Sequence, residues 1–339
     1  MRSYDQTISG FAPITIFLLA LLASVFDFTS CSERDYAGNL ESIIVGTLPY
    51  EGSALIYIAE AQGLFKANGL KVTIRDYETG LPTTEALTRG EVDVAACAEF
   101  IIVGKAFQKE KILAIGTIAK NVNELIIGRT DRGIQTPADL KGKKVGVPRK
   151  TVAEFYLGRF LELNGMNIKD ITLVDLSPSQ LPNALVRSDV DAAIVWQPWA
   201  SQIEAQLGNN KVAWPAQSGQ LLYWNIVARD PWVANHPEII KRLMRSLIRA
   251  EEYTARHPAE AEAIVRARLK YENAYMRKVW PEQQSSVTLD QSLVTAMEDE
   301  ARWMIKNNLT TEKVVPNFAD YIHEGGLKAV KPEGVSIIR

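Results

Sequence analysis

The stretch Thr136–Gly165 (TPADLKGKKVGVPRKTVAEFYLGRFLELNG) sets a strand and a helix back to back across a short turn, which commits the chain to an α/β design. Lys143–Val147 is partly β-branched and ends at Pro148, the pattern of a buried strand. From Thr151 to Leu163 the spacing is helical, with Val152, Phe155, Tyr156, Phe160 and Leu163 on one face. Thr151 and Glu154 fit a capping box, in which hydroxyl and carboxylate each take a backbone N–H. Arg149 and Lys150 fall in the turn between strand and helix. Free N–H groups and the positive end of a helix dipole make such a turn a good place to hold an anion. The same residues also fit a capped unit of any α/β protein, with two solvated cations.

Similar units recur along the chain. ALTRGEVDVA (Ala86–Ala95) and ALVRSDVDAA (Ala184–Ala193) each run from a helix end into a strand. Strands are predicted at 42–48, 70–77, 92–96, 112–119, 124–129, 171–175 and 192–196, and helices at 54–62, 81–88, 178–187 and 198–207. From 236 onward the pattern is helical, over 236–256, 259–269 and 289–307. Strands alternating with helices give mostly parallel sheets covered on both faces. A chain of 339 residues has enough length for two such cores.

The N-terminus reads differently. Arg2 precedes an apolar run, Phe11–Phe26, that is short for a membrane span and suits an export signal over residues 1–30. Phe28-Thr29-Ser30-Cys31 resembles a bacterial lipoprotein cleavage site, which makes Cys31 a lipidated N-terminus; ordinary signal cleavage nearby is the alternative. Residues 31–41 then form a tether. Both readings export the protein to the periplasm or cell surface, the first with a membrane anchor. With Cys31 lipidated, Cys97 has no disulfide partner, and its setting is that of a small buried residue. A net charge of −2 leaves no basic surplus for nucleic acid, and no phosphate loop, zinc spacing or catalytic triad order is present.

Five phrases resemble, in order, the substrate-binding proteins of nitrate, sulfonate and taurine ABC importers: GLFKANGLKVTI (Gly63–Ile74), ALTRGEVDVA, TPADLKGKKVGV (Thr136–Val147), ALVRSDVDAAIVWQPW (Ala184–Trp199) and NHPEIIKRLMRSLI (Asn235–Ile248). The resemblance implies a periplasmic-binding-protein type II fold, two α/β lobes joined by a two-crossing hinge. Lobe one would comprise 42–129 plus 225–335 and lobe two 130–224, with crossings near Arg129 and Trp224. It also implies a monomer without cofactor or metal that delivers a small molecule to a membrane permease and catalyses nothing. Thiamine-pyrimidine synthases resemble the same family but carry a cysteine-rich motif and a substrate histidine. Here only Cys97 remains, with His236, His257 and His323 in the C-terminal third.

Ligands of open α/β sheets bind beyond the carboxyl ends of the strands. The candidates there are Tyr50, Gly52 and Ser53 after the first strand, Glu99 after the third, Arg149 and Thr151 in the turn described above, Trp196 and Trp199 after another strand, and Trp224 at the return crossing. Ser53, Arg149, Thr151 and the helix N-termini suit an oxyanion. Glu99, and Glu51 beside it in kind, suit an amine or ring N–H, and the aromatic residues offer flat faces to a ring or a cation. A sulfonate or taurine-like solute is the first expectation and an aminopyrimidine thiamine precursor the second.

Overall fold

A computed structural model describes residues 36–339. The export signal, Cys31 and the rest of the expected tether up to residue 35 lie outside the described residues. The strands are β1 (Glu41–Thr47), β2 (Leu70–Asp76), β3 (Val94–Ala98), β4 (Ile112–Asn121), β5 (Leu125–Arg129), β6 (Lys144–Val147), β7 (Thr172–Asp175), β8 (Ala192–Val195), β9 (Lys211–Pro215), β10 (Leu222–Arg229), β11 (Gln284–Asp290) and β12 (Val335–Ser336). They form two sheets, one of seven strands in the order β12-β11-β4-β10-β3-β1-β2 and one of five in the order β7-β6-β8-β5-β9. Within each, β1, β2 and β3 or β6, β7 and β8 pair in parallel, and β10 or β5 joins antiparallel. Every residue of β3 and β8 is buried, as expected of strands with helices on both faces.

The chain passes between the sheets twice, at 122–124 and at 216–221. The first passage precedes β5, so 125–129 pairs with β8 and β9 in the five-stranded sheet and does not extend the first one. Gln217 ties the two passages together. Its Oε1 accepts from the N–H groups of Asn123 (2.7 Å) and Glu124 (2.9 Å), and its Nε2 donates to the carbonyls of Asn121 (3.1 Å) and Gln220 (3.0 Å). The bonds to Glu124 and Asn121 are fully buried, and those to Asn123 and Gln220 partly so.

The C-terminal third packs on the seven-stranded sheet. Pro237–Arg256 buries Ile240, Leu243, Met244, Leu247 and Ala250, one stripe of a 3.6-residue period. The region from 236 onward is not helical throughout, in contrast to what its periodicity predicts. Gln284–Asp290 forms β11 against β4, and the following helix begins at Gln291. Val287 and Leu289 alternate inward there, so pairing across the sheet overrides the helical reading. β9 was likewise not anticipated.

The two sheets' layers also meet directly. Phe155 lies edge-on to Trp303 at 5.5 Å, and Gly158 allows the close approach, since a Cβ there would sit 2.3 Å from the indole. Around the rim, Ser179 bonds Glu78 (2.5 Å), Lys278 bonds Glu204 (2.9 Å) and Lys306 bonds Glu162 (2.8 Å), each pair joining one sheet's layer to the other's.

Candidate functional site

A cavity of about 40 Å³ lies between the sheets, where the carboxyl ends of β1, β3, β6 and β8 converge on the two passages. Its lining includes Tyr50, Trp196 and Trp224 as aromatic walls, Thr79–Gly80, Ala98 and Thr151–Val152 as helix starts, and Asn123 and Glu124 from the first passage. Tyr50 and Trp224 meet edge to face at 4.7 Å. The Trp224 indole N–H donates to Ser53 Oγ (3.2 Å), which in turn bonds Leu48 carbonyl and Thr47 Oγ1. Ser53 therefore holds the tryptophan in place from behind, and its hydroxyl does not cap the helix that follows. Gly52 serves the same wall: a Cβ there would lie 2.1 Å from Tyr50 Oη, so only glycine lets the tyrosine ring fold over this turn.

Three helices begin at the cavity: Gly80–Arg89, Glu99–Phe107 and Val152–Leu163. None has a side-chain cap on its first-turn N–H groups, whereas the short helical turns after Thr136 and Asn167, outside the lining, have complete capping boxes. The box expected of Thr151 and Glu154 is not formed. Thr151 Oγ1 donates backward to the Pro148 carbonyl (2.6 Å), and Glu154 turns to Arg149 Nε (3.1 Å) and Lys150 N–H (2.8 Å). The helix's apolar face is buried apart from Leu163, which is 63% exposed at its end.

Four of the expected residues thus line the cavity together: Tyr50, Thr151, Trp196 and Trp224. Gly52 and Ser53 support the wall. The other three lie elsewhere. Arg149 lines a separate groove with Lys105, Lys150 and Glu154, and Trp199 lines an adjoining groove with Pro198 and Tyr271, which shares Tyr50 and Trp196 with the cavity. Glu99 is wholly buried beneath the cavity, where its Oε2 accepts the Tyr223 N–H (2.9 Å) and its carboxyl faces Glu300. Burial pushes Glu99 up to about 8, and pushes Glu300 well above the usual carboxylate range with the Glu99 charge adding to it. Burial thus holds the pair toward its protonated form.

Glu124 and Asn123 went unnoticed in the sequence. Glu124 is 1% exposed, and its Oε2 and Asn123 Oδ1 are buried without a hydrogen-bond partner. Burial, reinforced by the Glu99 charge, pushes the Glu124 carboxyl up to about 8. Tyr50 Oη, near the Asn121 side chain, also lacks a well-formed hydrogen bond. Buried orphan acceptors are rare in folded proteins, and three unpartnered polar atoms on residues that line one cavity mark a place for a partner from outside. The signal available was the polar run Asn121-Val122-Asn123-Glu124 between two apolar strands, which places polar side chains where the chain changes sheets.

Two α/β sheets joined by two passages, with an aromatic cavity between them, define the periplasmic-binding-protein type II fold. The model of the NMT1/THI5 like family matches residues 51–261, more than half of the chain, and the protein belongs to that family. The alkanesulfonate-binding protein SsuA of Xanthomonas axonopodis pv. citri, solved with MOPS bound, superposes with a TM-score of 0.74 at 20% identity, over 85% of this chain and 100% of that one. A Brucella abortus protein named as a binding protein is 28% identical over 66% of this chain and 70% of its own length. The taurine-binding periplasmic protein of Escherichia coli is 28% identical over 61% of this chain and 65% of its own. Among the described residues no helix is long and apolar enough to cross a membrane.

Proposed function

We propose that this protein is the extracytoplasmic solute-binding component of an ABC importer, which captures a small organic solute between its lobes and presents it to a membrane permease. The observation that carries the reading is the cavity itself. It sits at the strand ends of both sheets, is walled by Tyr50, Trp196 and Trp224, and has unpartnered polar atoms on three of the residues that line it. In this reading the two sheets with their helices are the lobes, the passages at 122–124 and 216–221 are the hinge, and the rim pairs Glu78–Ser179, Lys278–Glu204 and Lys306–Glu162 hold the closed form. Residues 1–30 direct export and Cys31 carries the lipid; Cys31→Ala would then move the protein from the membrane fraction to the soluble one.

Among sulfonates, an aminated, taurine-like compound fits best. The uncapped helix starts at Thr79–Gly80 and Thr151–Val152 suit its sulfonate, and Glu124 suits its amine. Glu124 Oε2 and Asn123 Oδ1, two unpartnered acceptors on neighbouring residues of the lining, favour a second reading, in which an aminopyrimidine donates its amino N–H groups to them. Thermal denaturation of the protein from Ser32 onward tests both, with taurine, ethanesulfonate, nitrate and an aminopyrimidine at matched concentration. A solute that binds only the folded, closed form raises Tm. A rise with taurine or the aminopyrimidine is the expected result, and no rise with any organic solute overturns solute capture.

A further inference from the structure

The acid–base side chains around the cavity are carboxyls, without a basic counterpart. Its lining holds Glu124 and no lysine or arginine. Glu99 and Glu300 lie behind it, and Glu51, wholly buried, shares with Glu124 a second pocket on the far side of the first passage. The basic side chains nearby are already paired: Lys105 with Glu110 (2.9 Å), Arg149 with Glu154 (3.1 Å), Lys278 with Glu204 (2.9 Å) and Lys120 with Asp290. An anion without a cationic part would enter a space faced by carboxyls with no side-chain cation to meet it. Three helix starts supply partial positive charge, at Thr79–Gly80 and Ala98 from the seven-stranded sheet and at Thr151–Val152 from the five-stranded one.

Resting on the solute-capture reading, we infer that the captured solute carries a cationic nitrogen head, an ammonium or amidinium, seated between Glu124, Asn123 Oδ1 and the aromatic faces of Tyr50, Trp196 and Trp224. A carboxylate with several aromatic faces is a strong receptor for such a head, because the charge is met by Coulomb attraction on one side and by ring quadrupoles on the others. Both orphan acceptors then gain N–H donors, and an anionic tail, where there is one, reaches the helix starts.

Capture of such a head is linked to a proton. The groups facing Glu124 are Glu99 from the helix Glu99–Phe107, the Tyr50 and Tyr156 hydroxyls, Gln217 from the second passage, and Glu51, Glu282 and Lys278 across the neighbouring pocket. Without the solute the Glu124 carboxyl stays protonated up to about pH 8. The bound cation holds it ionised, so capture below that pH releases its proton to solvent. Apparent affinity for a fixed cation therefore rises by about tenfold per pH unit and levels above about pH 8.

Calorimetry in phosphate and in Tris, which differ in ionisation heat, counts the protons released. The probes are taurine, its amine-free analogue ethanesulfonate, benzamidine and a neutral aminopyrimidine. Expected are proton release with taurine or benzamidine, an affinity at least about tenfold weaker for ethanesulfonate, and, in Glu124→Gln, loss of the proton release together with about tenfold or more of the affinity for the cation. Asn123→Leu, which removes one acceptor and no charge, weakens the same probes less and keeps the proton release. It serves where Glu124→Gln fails to fold. Ethanesulfonate binding as tightly as taurine, tight binding of the neutral ring alone, or capture of a cation without proton release overturns the cationic head while leaving solute capture intact. Silence from every probe, in heat and in Tm, removes both.

Discussion

The aromatic cavity and the basic groove beside it share Ile101 in their linings, yet they treat charge in opposite ways. The groove contains Lys105, Arg149 and Lys150, which in the sequence look like an anion site, but Lys105 and Arg149 are bound to Glu110 and Glu154, and the Lys150 N–H is bound to Glu154 as well. The cavity contains a single ionisable carboxyl, from Glu124, and its Oε2 meets no donor. A charge that stands out along the chain is often satisfied by its neighbours. The charge available to a ligand is the one the fold has buried without a partner.

The largest expected effect comes from breaking the cavity wall. Trp224→Ala removes a 3% exposed indole that braces Tyr50 and bonds Ser53, at a cost of about 3–5 kcal/mol in stability by chemical denaturation. Solute binding measured by calorimetry should vanish with it. Gln217→Ala comes next. It leaves the N–H groups of Asn123 and Glu124 unpaired, for a loss of about 2–3 kcal/mol, and it frees Glu124 from its position, so affinity falls with stability. An unchanged affinity in a folded Gln217→Ala variant would separate the hinge staple from the site.

The Glu99–Glu300 pair sharpens the contrast in a different way, because its carboxyls have no route to a cationic ligand. Both are raised by burial, so the folded protein binds more protons than the unfolded chain. Their contribution to stability is complete below the ordinary carboxylate range and is lost as pH rises through about 8. Glu300→Gln should flatten that decline and gain about 1–2 kcal/mol near pH 8, read from melting curves across pH. A decline of equal slope in the variant would assign it to other groups. The smallest effect belongs to the groove: Arg149→Gln should leave solute affinity within about twofold and stability within about 1 kcal/mol, since the arginine side chain is 41% exposed. A large loss of affinity there would reverse the comparison and return the anion to the Arg149 turn.

Much of the architecture was readable along the chain because its causes are local. Apolar runs such as VAACA in β3, the stripe Ile240, Leu243, Met244 and Leu247, and left-handed glycines at Gly63 and Gly90 each determine an element from nearby residues. β9 and β11 were missed because their strand form comes from pairing with β5 and β4, far away in sequence. The walls Tyr50, Trp196 and Trp224 were found by one general rule, that ligands gather at strand ends. Arg149, Trp199 and Glu99 satisfied the same rule and point elsewhere, since the rule locates a turn and says nothing of the direction a side chain takes from it.

By itself, then, the sequence determined the α/β alternation, the family and the turns that surround the cavity, since hydrophobic period and turn chemistry act over a few residues. Which polar groups in those turns remain unpaired was decided only by tertiary structure. Glu154 meets Arg149, Gln217 meets Asn123 and Glu124, and Glu99 meets Glu300 through contacts that span from five to two hundred residues of chain. Glu124 Oε2 is left over when those contacts are made, a buried acceptor without a partner on a residue that lines the cavity.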